Sequence, residues 1–116
     1  MKHETFVISG HEACVKLERF IRFYHQNAYE SSFEGGFLRF FEDYSFLNSN
    51  KLMFCIRFDN TKCQDNTAEI EIIIGGASDS IWLHFTMGSY TRRLNRFSRK
   101  LEEFCIEQGL AFSVQT

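Results

Sequence analysis

The sequence predicts an α+β fold, a two-layer sandwich in which an antiparallel sheet of four to six strands is covered on one face by two helices. Two stretches place apolar residues at steps of three and four, whereas several shorter stretches alternate apolar and polar residues. The length of 116 residues suits one core, so we expect a single domain over residues 1–116. The expected order is β-α-β-β-β-β-α, with a terminal strand left open.

The first strand and the first helix follow one another directly. Residues 4–9 are rich in β-branched and aromatic side chains, which favours a strand. Ser9 and Glu12 have the spacing of a capping box, so the helix is expected to begin there. Its apolar stripe contains Ala13, Cys14, Leu17, Phe20, Ile21, Tyr24 and Ala28. We expect this stripe to pack on the sheet.

Four strands are expected after this helix, arranged as an antiparallel meander. They are placed at residues 37–46, 51–58, 68–74 and 80–86. Alternation assigns the helix-covered face of the first two to Leu38, Phe40, Tyr44 and Phe46, and to Leu52, Phe54, Ile56 and Phe58. Residues 59–67 are predicted to form a polar loop.

The second helix is predicted near the end of the chain. Ser89 follows Gly88 and is the expected N-cap, and Gly109 is expected to end the helix in the left-handed conformation. The apolar stripe contains Tyr90, Leu94, Phe97, Leu101, Phe104 and Cys105. The tail at residues 110–115 is either a short edge strand or a frayed end.

Composition and charge exclude several classes of function. The net charge of −2, with acids and bases mixed, gives no overall field that would attract nucleic acid or anionic lipid. No apolar run approaches the ~20 residues of a membrane span, and no signal-peptide core is present. We therefore expect a cytoplasmic protein whose cysteines, Cys14, Cys55, Cys63 and Cys105, are reduced and mostly in the core.

Three segments carry a resemblance to a known family. These are "FFEDYSFLNSNKLMFCIRF", "IEIIIGGASD" and "LEEFCIE". Over about residues 37–105 the chain resembles a family of short bacterial proteins defined only as a domain of unknown function. The resemblance implies a fold and no chemistry. The order of elements is also similar to that of the TATA-binding-protein-like fold, and fold likeness alone does not transfer function.

Two cysteine-containing arrangements are candidate chemical sites. His11, Cys14 and Cys63 carry ligand types that bind zinc, and Cys55 with His84 carries the residue types of a thiol nucleophile and its base. Cys14 lies on the apolar helix stripe and no second ligand pair is nearby in sequence, so the core interpretation is favoured. We expect no metal, no cofactor and no catalytic residue.

The sheet face away from the helices is the main candidate surface, because it is too aromatic for a purely solvated face. Alternation assigns to it Phe37, Arg39, Phe41, Asp43, Met53, Cys55, Arg57, Glu69, Glu71, Ile73, Trp82 and His84. The leading hypothesis is a non-enzymatic binding or assembly module that forms a homodimer, sheet against sheet. The apolar residues that would be buried are Phe41, Met53, Ile73 and Trp82.

The alternative is a small anionic-ligand-binding protein or enzyme with a cup between this face and the 59–67 loop. Arg39 and Arg57 would bind the anion, Glu71 and His84 would transfer protons, and Trp82 would form an apolar wall. Opposite charges across neighbouring strands also stabilise a sheet without any ligand.

A basic cluster in the second helix suggests a separate anion or partner patch. It contains Arg92, Arg93, Arg96 and Arg99, followed by Lys100. Bases in the first half of a helix and acids in the second oppose the helix dipole, and an acidic protein or phosphate would relieve that repulsion. The other interpretation is that glutamates on the two helices neutralise the cluster.

Overall fold

A computed structural model describes residues 2–44, 51–64, 66–75 and 83–115. Its strands are β1 (Lys2–Ser9), β2 (Tyr29–Phe33), β3 (Gly36–Tyr44), β4 (Lys51–Asp59), β5 (Thr67–Gly75) and β6 (Ala111–Gln115). The helices are α1 (Ala13–Tyr24) and α2 (Leu83–Gln108), and a 3-10 turn covers Asn60–Lys62. The expected α+β class and order of elements are confirmed, with the terminal strand present.

The strands form one antiparallel sheet in the order β2-β3-β4-β5-β1-β6. Because β1 lies beside β5 and β2 lies at the far edge, α1 crosses the sheet and β2 to β5 return as a meander. The tail is an edge strand, since β6 pairs with β1 from Thr5↔Gln115 to Ser9↔Ala111. Both helices contribute to a single core on one face, which we call the covered face.

Aromatic rings fill the core between the layers. Phe97 of α2 is fully buried, and its ring centroid lies 5.0 Å from that of Tyr24, 5.6 Å from that of Phe54 and 5.8 Å from that of Phe6. Tilted and edge-on ring pairs at these distances add to the free energy gained by burial. The two helices and the sheet are therefore joined through one aromatic cluster.

Helix α1 carries the predicted stripe but not the predicted cap. Ala13, Leu17 and Ile21 are buried, as expected. The residue before the helix is Glu12, with φ 56°, and it makes no side-chain cap hydrogen bond. The capping-box prediction is wrong because Ser9 still belongs to β1, where it pairs with Thr67.

Strand β3 presents the opposite face from the one predicted. Phe37, Arg39 and Phe41 are buried on the covered face, so Leu38 and Phe40 lie on the other side. The cause is the register with β4, which pairs these three residues with its buried apolar set: Phe37↔Phe58, Arg39↔Ile56 and Phe41↔Phe54. Once β4 orients its apolar side chains toward the helices, the paired residues of β3 must follow.

Helix α2 begins earlier than predicted and includes residues 83–86 of the strand expected at 80–86. The helix starts at Leu83, and Ser89 therefore lies inside it rather than at its N-cap. Residues 80–82 lie outside the described part of the chain. The fourth strand of the meander is instead β2, which ends in a two-residue turn before Gly36.

The C-terminal end of α2 follows the prediction. Gly109 has φ 69°, its N–H donates to the Ile106 carbonyl at 3.3 Å, and the Leu110 N–H donates to the Cys105 carbonyl at 2.8 Å. This is a Schellman motif, which satisfies carbonyls at the helix end and reverses the chain. It delivers buried Leu110 to the core and starts β6 beside β1.

Candidate functional site

The face of the sheet opposite the helices, here called the outer face, carries an apolar row. Tyr29 pairs with Phe40, Phe40 with Cys55, and Cys55 with Ile73, so the row runs in register across β2, β3, β4 and β5. Tyr29 is 71% exposed, and Met53, which lies two residues before Cys55 on β4, is 42% exposed. Both described helices lie on the covered face, so large apolar side chains remain accessible on the outer one.

A charged row runs beside the apolar row. Arg57 is directly opposite Glu71 in the β4–β5 ladder. Glu71 Oε2 lies 3.2 Å from His3 Nε2, and Arg57 Nη2 lies 3.4 Å from Asp59 Oδ2. The Arg57 guanidinium also lies 5.5 Å from the centroid of the Phe33 ring. The outer face therefore carries both signs of charge next to apolar surface.

The predicted outer-face residues divide into three groups. Met53, Cys55, Arg57 and Glu71 lie on the outer face in the expected alternation. Arg39 and Phe41 lie on the covered face, and His84 belongs to α2. Trp82 lies outside the described residues.

Arg39 is a structural residue that completes the end of α1. It is 7% exposed, and Nη1 donates to the carbonyls of Ile21, at 2.9 Å, and Arg22. Its Nη2 donates to the carbonyl of His25 at 2.8 Å, and Nε lies 3.8 Å from a Glu30 carboxylate oxygen. A buried cation at the negative end of a helix satisfies carbonyls that no left-handed glycine caps. The predicted role of Arg39 in binding an anion on the outer face is therefore wrong.

Phe41 likewise belongs to the core rather than to an interface. Its ring stacks on His25 at a centroid distance of 4.1 Å and on Phe54 at 4.8 Å. Since Arg39 lies on the covered face and His84 is in a helix, the predicted anion cup keeps only Arg57 and Glu71 of its described residues. These two face each other across neighbouring strands, which also stabilises a sheet without a ligand.

A cleft of about 460 Å³ opens where the apolar row reaches the sheet edge. Tyr29, Phe40 and Met53 line it from the outer face, together with Glu42 and His25. His25 Nδ1 is buried and has no hydrogen-bond partner among the described residues. Tyr29 and His25 were not predicted as site residues, because they fall in the segment where the helical periodicity stops and because the short strand β2 was not expected. The one available signal was the alternation of Tyr29, Ser31 and Phe33 just before two glycines.

Cys55 does not have the environment of a nucleophile. Burial raises the pKa of its thiol, and the negative charge of Glu71 raises it further. A catalytic cysteine needs the reverse, a stabilised thiolate. The predicted partner, His84, is in α2 rather than on a strand beside Cys55, so the proposed pair is wrong in its placement.

The prediction of four reduced cysteines is wrong for one pair. Cys14 of α1 and Cys63 form a disulfide with a Cα–Cα distance of 5.9 Å, whereas Cys55 and Cys105 are free and buried. The bond joins the 59–67 loop to the start of α1, so this loop is bound to the helix layer rather than forming a cup over the outer face. Sulfurs bonded to each other are not thiolate ligands, which leaves His11 without the two partners of the zinc hypothesis. Among the described residues, no three metal-binding side chains are grouped.

The basic cluster lies on α2 in a different setting from the one predicted. Arg92, Arg96 and Arg99 are exposed, and Arg93 is half-buried. Because α2 begins at Leu83, the cluster lies more than two turns inside the helix, beyond the first turn where the dipole acts. The predicted repulsion between this cluster and the helix dipole is therefore wrong. Binding of an acidic partner by the patch stays a prediction.

Comparisons with protein-family models, with curated proteins and with solved structures give no match. The resemblance to a bacterial family of unknown function therefore stays a prediction. Neither of the two helices described above is long and apolar enough to cross a membrane.

Proposed function

We propose that this protein is a small, non-enzymatic assembly module that forms a homodimer through the outer face of its sheet. The observation that carries the proposal is the apolar row of Tyr29, Phe40, Cys55 and Ile73, which continues to exposed Met53. Apolar side chains aligned across four strands, on the face opposite a complete core, are typical of an interface. The cytoplasmic location expected from the sequence is part of this proposal.

The dimensions of the face suit a second copy of the chain. Six strands of five to nine residues, spaced about 4.8 Å apart and with a rise of about 3.3 Å per residue, give a face of roughly 700 Å². A standard protein interface buries about 800 Å² on each partner. A two-fold pairing of these faces would therefore reach the size of a stable dimer without a further domain.

The charges of the outer face also favour a second copy over a partner of one sign. Arg57 and Glu71 lie on the same face, next to the apolar row. In a two-fold dimer each surface meets itself in reverse, so a surface that carries both signs can pair its bases with the acids of the other copy. Glu69 and Glu71 would at the same time repel the phosphates of a nucleic acid.

Sedimentation equilibrium of the full chain tests this proposal. We expect a dimer at micromolar concentration, and we expect Met53→Lys to weaken it at least tenfold by burying a charge at the interface. Ile106→Lys is the matched control, because Ile106 is 73% exposed on α2, away from the outer face. It should leave the dimer unchanged.

Two results would contradict the proposal. A monomer at several hundred micromolar would show that the face does not associate with itself. Equal weakening by Met53→Lys and Ile106→Lys would show that the dimer forms through another surface. Circular dichroism of each variant, compared with the parent, separates loss of association from loss of fold.

A further inference from the structure

The Cys14–Cys63 disulfide lies at the start of α1, away from the outer face, and it has the features of a reactive bond. Cys14 is the second residue of α1, and Cys63 follows the 3-10 turn after β4. We propose that this pair is a thiol–disulfide exchange site for a low-molecular-weight thiol of the glutathione class. The proposal is independent of the proposed dimer.

The bond is not needed to hold the two segments together. Ser9 pairs with Thr67 in the β1–β5 ladder, and the Gly10 N–H donates to the Asn66 carbonyl at 2.8 Å. Gln64 and Thr67 exchange backbone hydrogen bonds of 3.1 and 2.8 Å. Since backbone hydrogen bonds fix the chain on both sides of the disulfide, opening and closing the bond leaves the cysteines facing each other.

The disulfide is accessible, in contrast to the free cysteines. Cys14 and Cys63 are half-buried and line an open cleft of about 250 Å³ between the start of α1 and the loop, whereas Cys55 and Cys105 are buried. The cleft gives a thiol a path to the sulfurs. Burial also raises the pKa of the Cys105 thiol to about 11, so that cysteine stays protonated and does not compete in exchange.

The position of Cys14 determines which sulfur leaves. Cys14 lies in the first turn of α1, which contains no acidic residue, whereas Glu12, directly before the helix, lines the same cleft; the positive helix end favours a negative charge on Cys14, which belongs to the helix, more than on Cys63 of the loop. A thiolate that is stabilised is the better leaving group. The incoming thiolate therefore attacks Cys63, and Cys14 departs.

The exchange proceeds in two balanced steps. The thiolate of the small thiol forms a bond to Cys63 Sγ while the Cys14–Cys63 bond breaks, and the electron pair of that bond leaves on Cys14. A second small thiol then attacks the sulfur of the first, forming the small disulfide and releasing Cys63 as a thiolate. Two small thiols are oxidised, the protein disulfide gains two electrons, and the two protons of the small thiols end on Cys14 and Cys63.

In a compartment that contains glutathione, the proposed exchange would set the oxidation state of the Cys14–Cys63 pair. A cytoplasmic protein, as proposed above, rarely keeps a structural disulfide, and accessible ones there are exchanged. Reduction would break the covalent link between the loop and α1, while the backbone hydrogen bonds described above keep both segments in place. The oxidation state of the pair would then report the thiol–disulfide balance around the protein.

The test is equilibration of the native full chain in buffers of reduced and oxidised glutathione, followed by acid quenching, alkylation and mass spectrometry. We expect the pair to pass from oxidised to reduced at millimolar reduced glutathione, with unchanged far-ultraviolet circular dichroism. Cys105 should be alkylated in neither form. A pair that stays oxidised in 10 mM reduced glutathione, or that reduces only when the protein unfolds, would overturn the proposal.

Single variants test the order of attack. Cys14→Ser should carry one glutathione on Cys63 in the mixed buffer, because the resolving thiol is absent. In Cys63→Ser the remaining thiol should be alkylated by iodoacetamide at lower pH than an unstructured cysteine, owing to the helix end. Two results would overturn the assignment of the leaving sulfur. One is glutathione on Cys14 in Cys63→Ser but none on Cys63 in Cys14→Ser, and the other is a Cys14 that reacts like an unstructured cysteine.

Discussion

The two faces of the sheet differ in what covers them, and therefore in what their side chains do. On the covered face Ile8, Ile72 and Ile74 are completely buried. On the outer face Tyr29 and Met53 are exposed, and half-buried Arg57 contacts Asp59 and Phe33. Substitutions on the covered face should alter the free energy of unfolding, whereas those on the outer face should alter association.

Two arginines give the sharpest form of this comparison. Arg39 and Arg57 lie on strands that neighbour each other, but on opposite faces. Arg39 is buried and donates to three backbone carbonyls, whereas half-exposed Arg57 donates to Asp59 at 3.4 Å. The same type of side chain is thus a helix cap on the covered face and a surface group on the outer face.

The largest effect is expected from Arg39→Ala. This change removes the donors of the last carbonyls of α1 and leaves Glu30 without one of its cations, so we expect a loss of about 3 kcal/mol or more in the free energy of unfolding. Arg57→Ala should lose less than about 1 kcal/mol, because exposed ion pairs contribute little. Urea denaturation of the two variants and the parent measures both.

Arg39→Lys sharpens the same test. Lysine keeps the charge but lacks the planar fork that reaches several carbonyls at once, so its stability should fall between those of the parent and Arg39→Ala. Equal losses in Arg39→Ala and Arg57→Ala would mean that the cap does not stabilise α1, and the distinction between the faces would fail.

A second, smaller effect is expected in the pH dependence of the free energy of unfolding, through the buried thiol of Cys105. Burial, and then the charge of Glu102, raises the pKa of Cys105 from 9.0 to about 11. A pKa that is higher in the folded protein gives stability that is complete below pH 9 and is lost as the pH rises toward 11. The loss from Cys105 should approach about 3 kcal/mol at most.

The measurement is the free energy of unfolding from pH 8 to pH 11 for the parent and for Cys105→Ala. The variant is less stable throughout because it leaves a cavity, but its decline over this interval should be shallower. Cys55→Ala provides the outer-face comparison, since the pKa of Cys55 is also raised by burial. If all three proteins decline in parallel, neither thiol is responsible.

The faces also show which parts of the fold the sequence can predict. The stripes of both helices were predicted, because three- and four-residue spacing is a local property. Strand β3 has Phe37 and Phe41 in one phase and Phe40 in the other, so alternation does not select a face. Arg39 was predicted to lie on the outer face. Its true side is determined by the carbonyls at the end of α1, which are distant in sequence.

The start of α2 was missed for a local reason. Leu83, Met87, Tyr90 and Leu94 continue the helical spacing without interruption, but Gly88 and Ser89 were interpreted as the start of the helix. Glycine inside a helix costs about 1 kcal/mol relative to alanine, which a helix of 26 residues tolerates. The disulfide could not be predicted either, because only the β1–β5 ladder brings Cys14 close to Cys63.

The smallest effect on stability is expected from the basic patch of α2. Arg92 and Arg96 are exposed and lie in the middle of the helix, so replacing both with Gln should change the free energy of unfolding by less than about 1 kcal/mol. If the patch binds an anionic surface, the same variant should elute earlier from a heparin column. The salt dependence should be steep, because exposed charges are screened over about 8 Å at physiological ionic strength.

Lys16→Gln with Arg19→Gln on α1 is the control with an equal change of charge. Equal shifts in elution for the two pairs would mean that the column detects net charge alone, and a large loss of stability in Arg92→Gln with Arg96→Gln would make these arginines part of the helix layer rather than a binding patch.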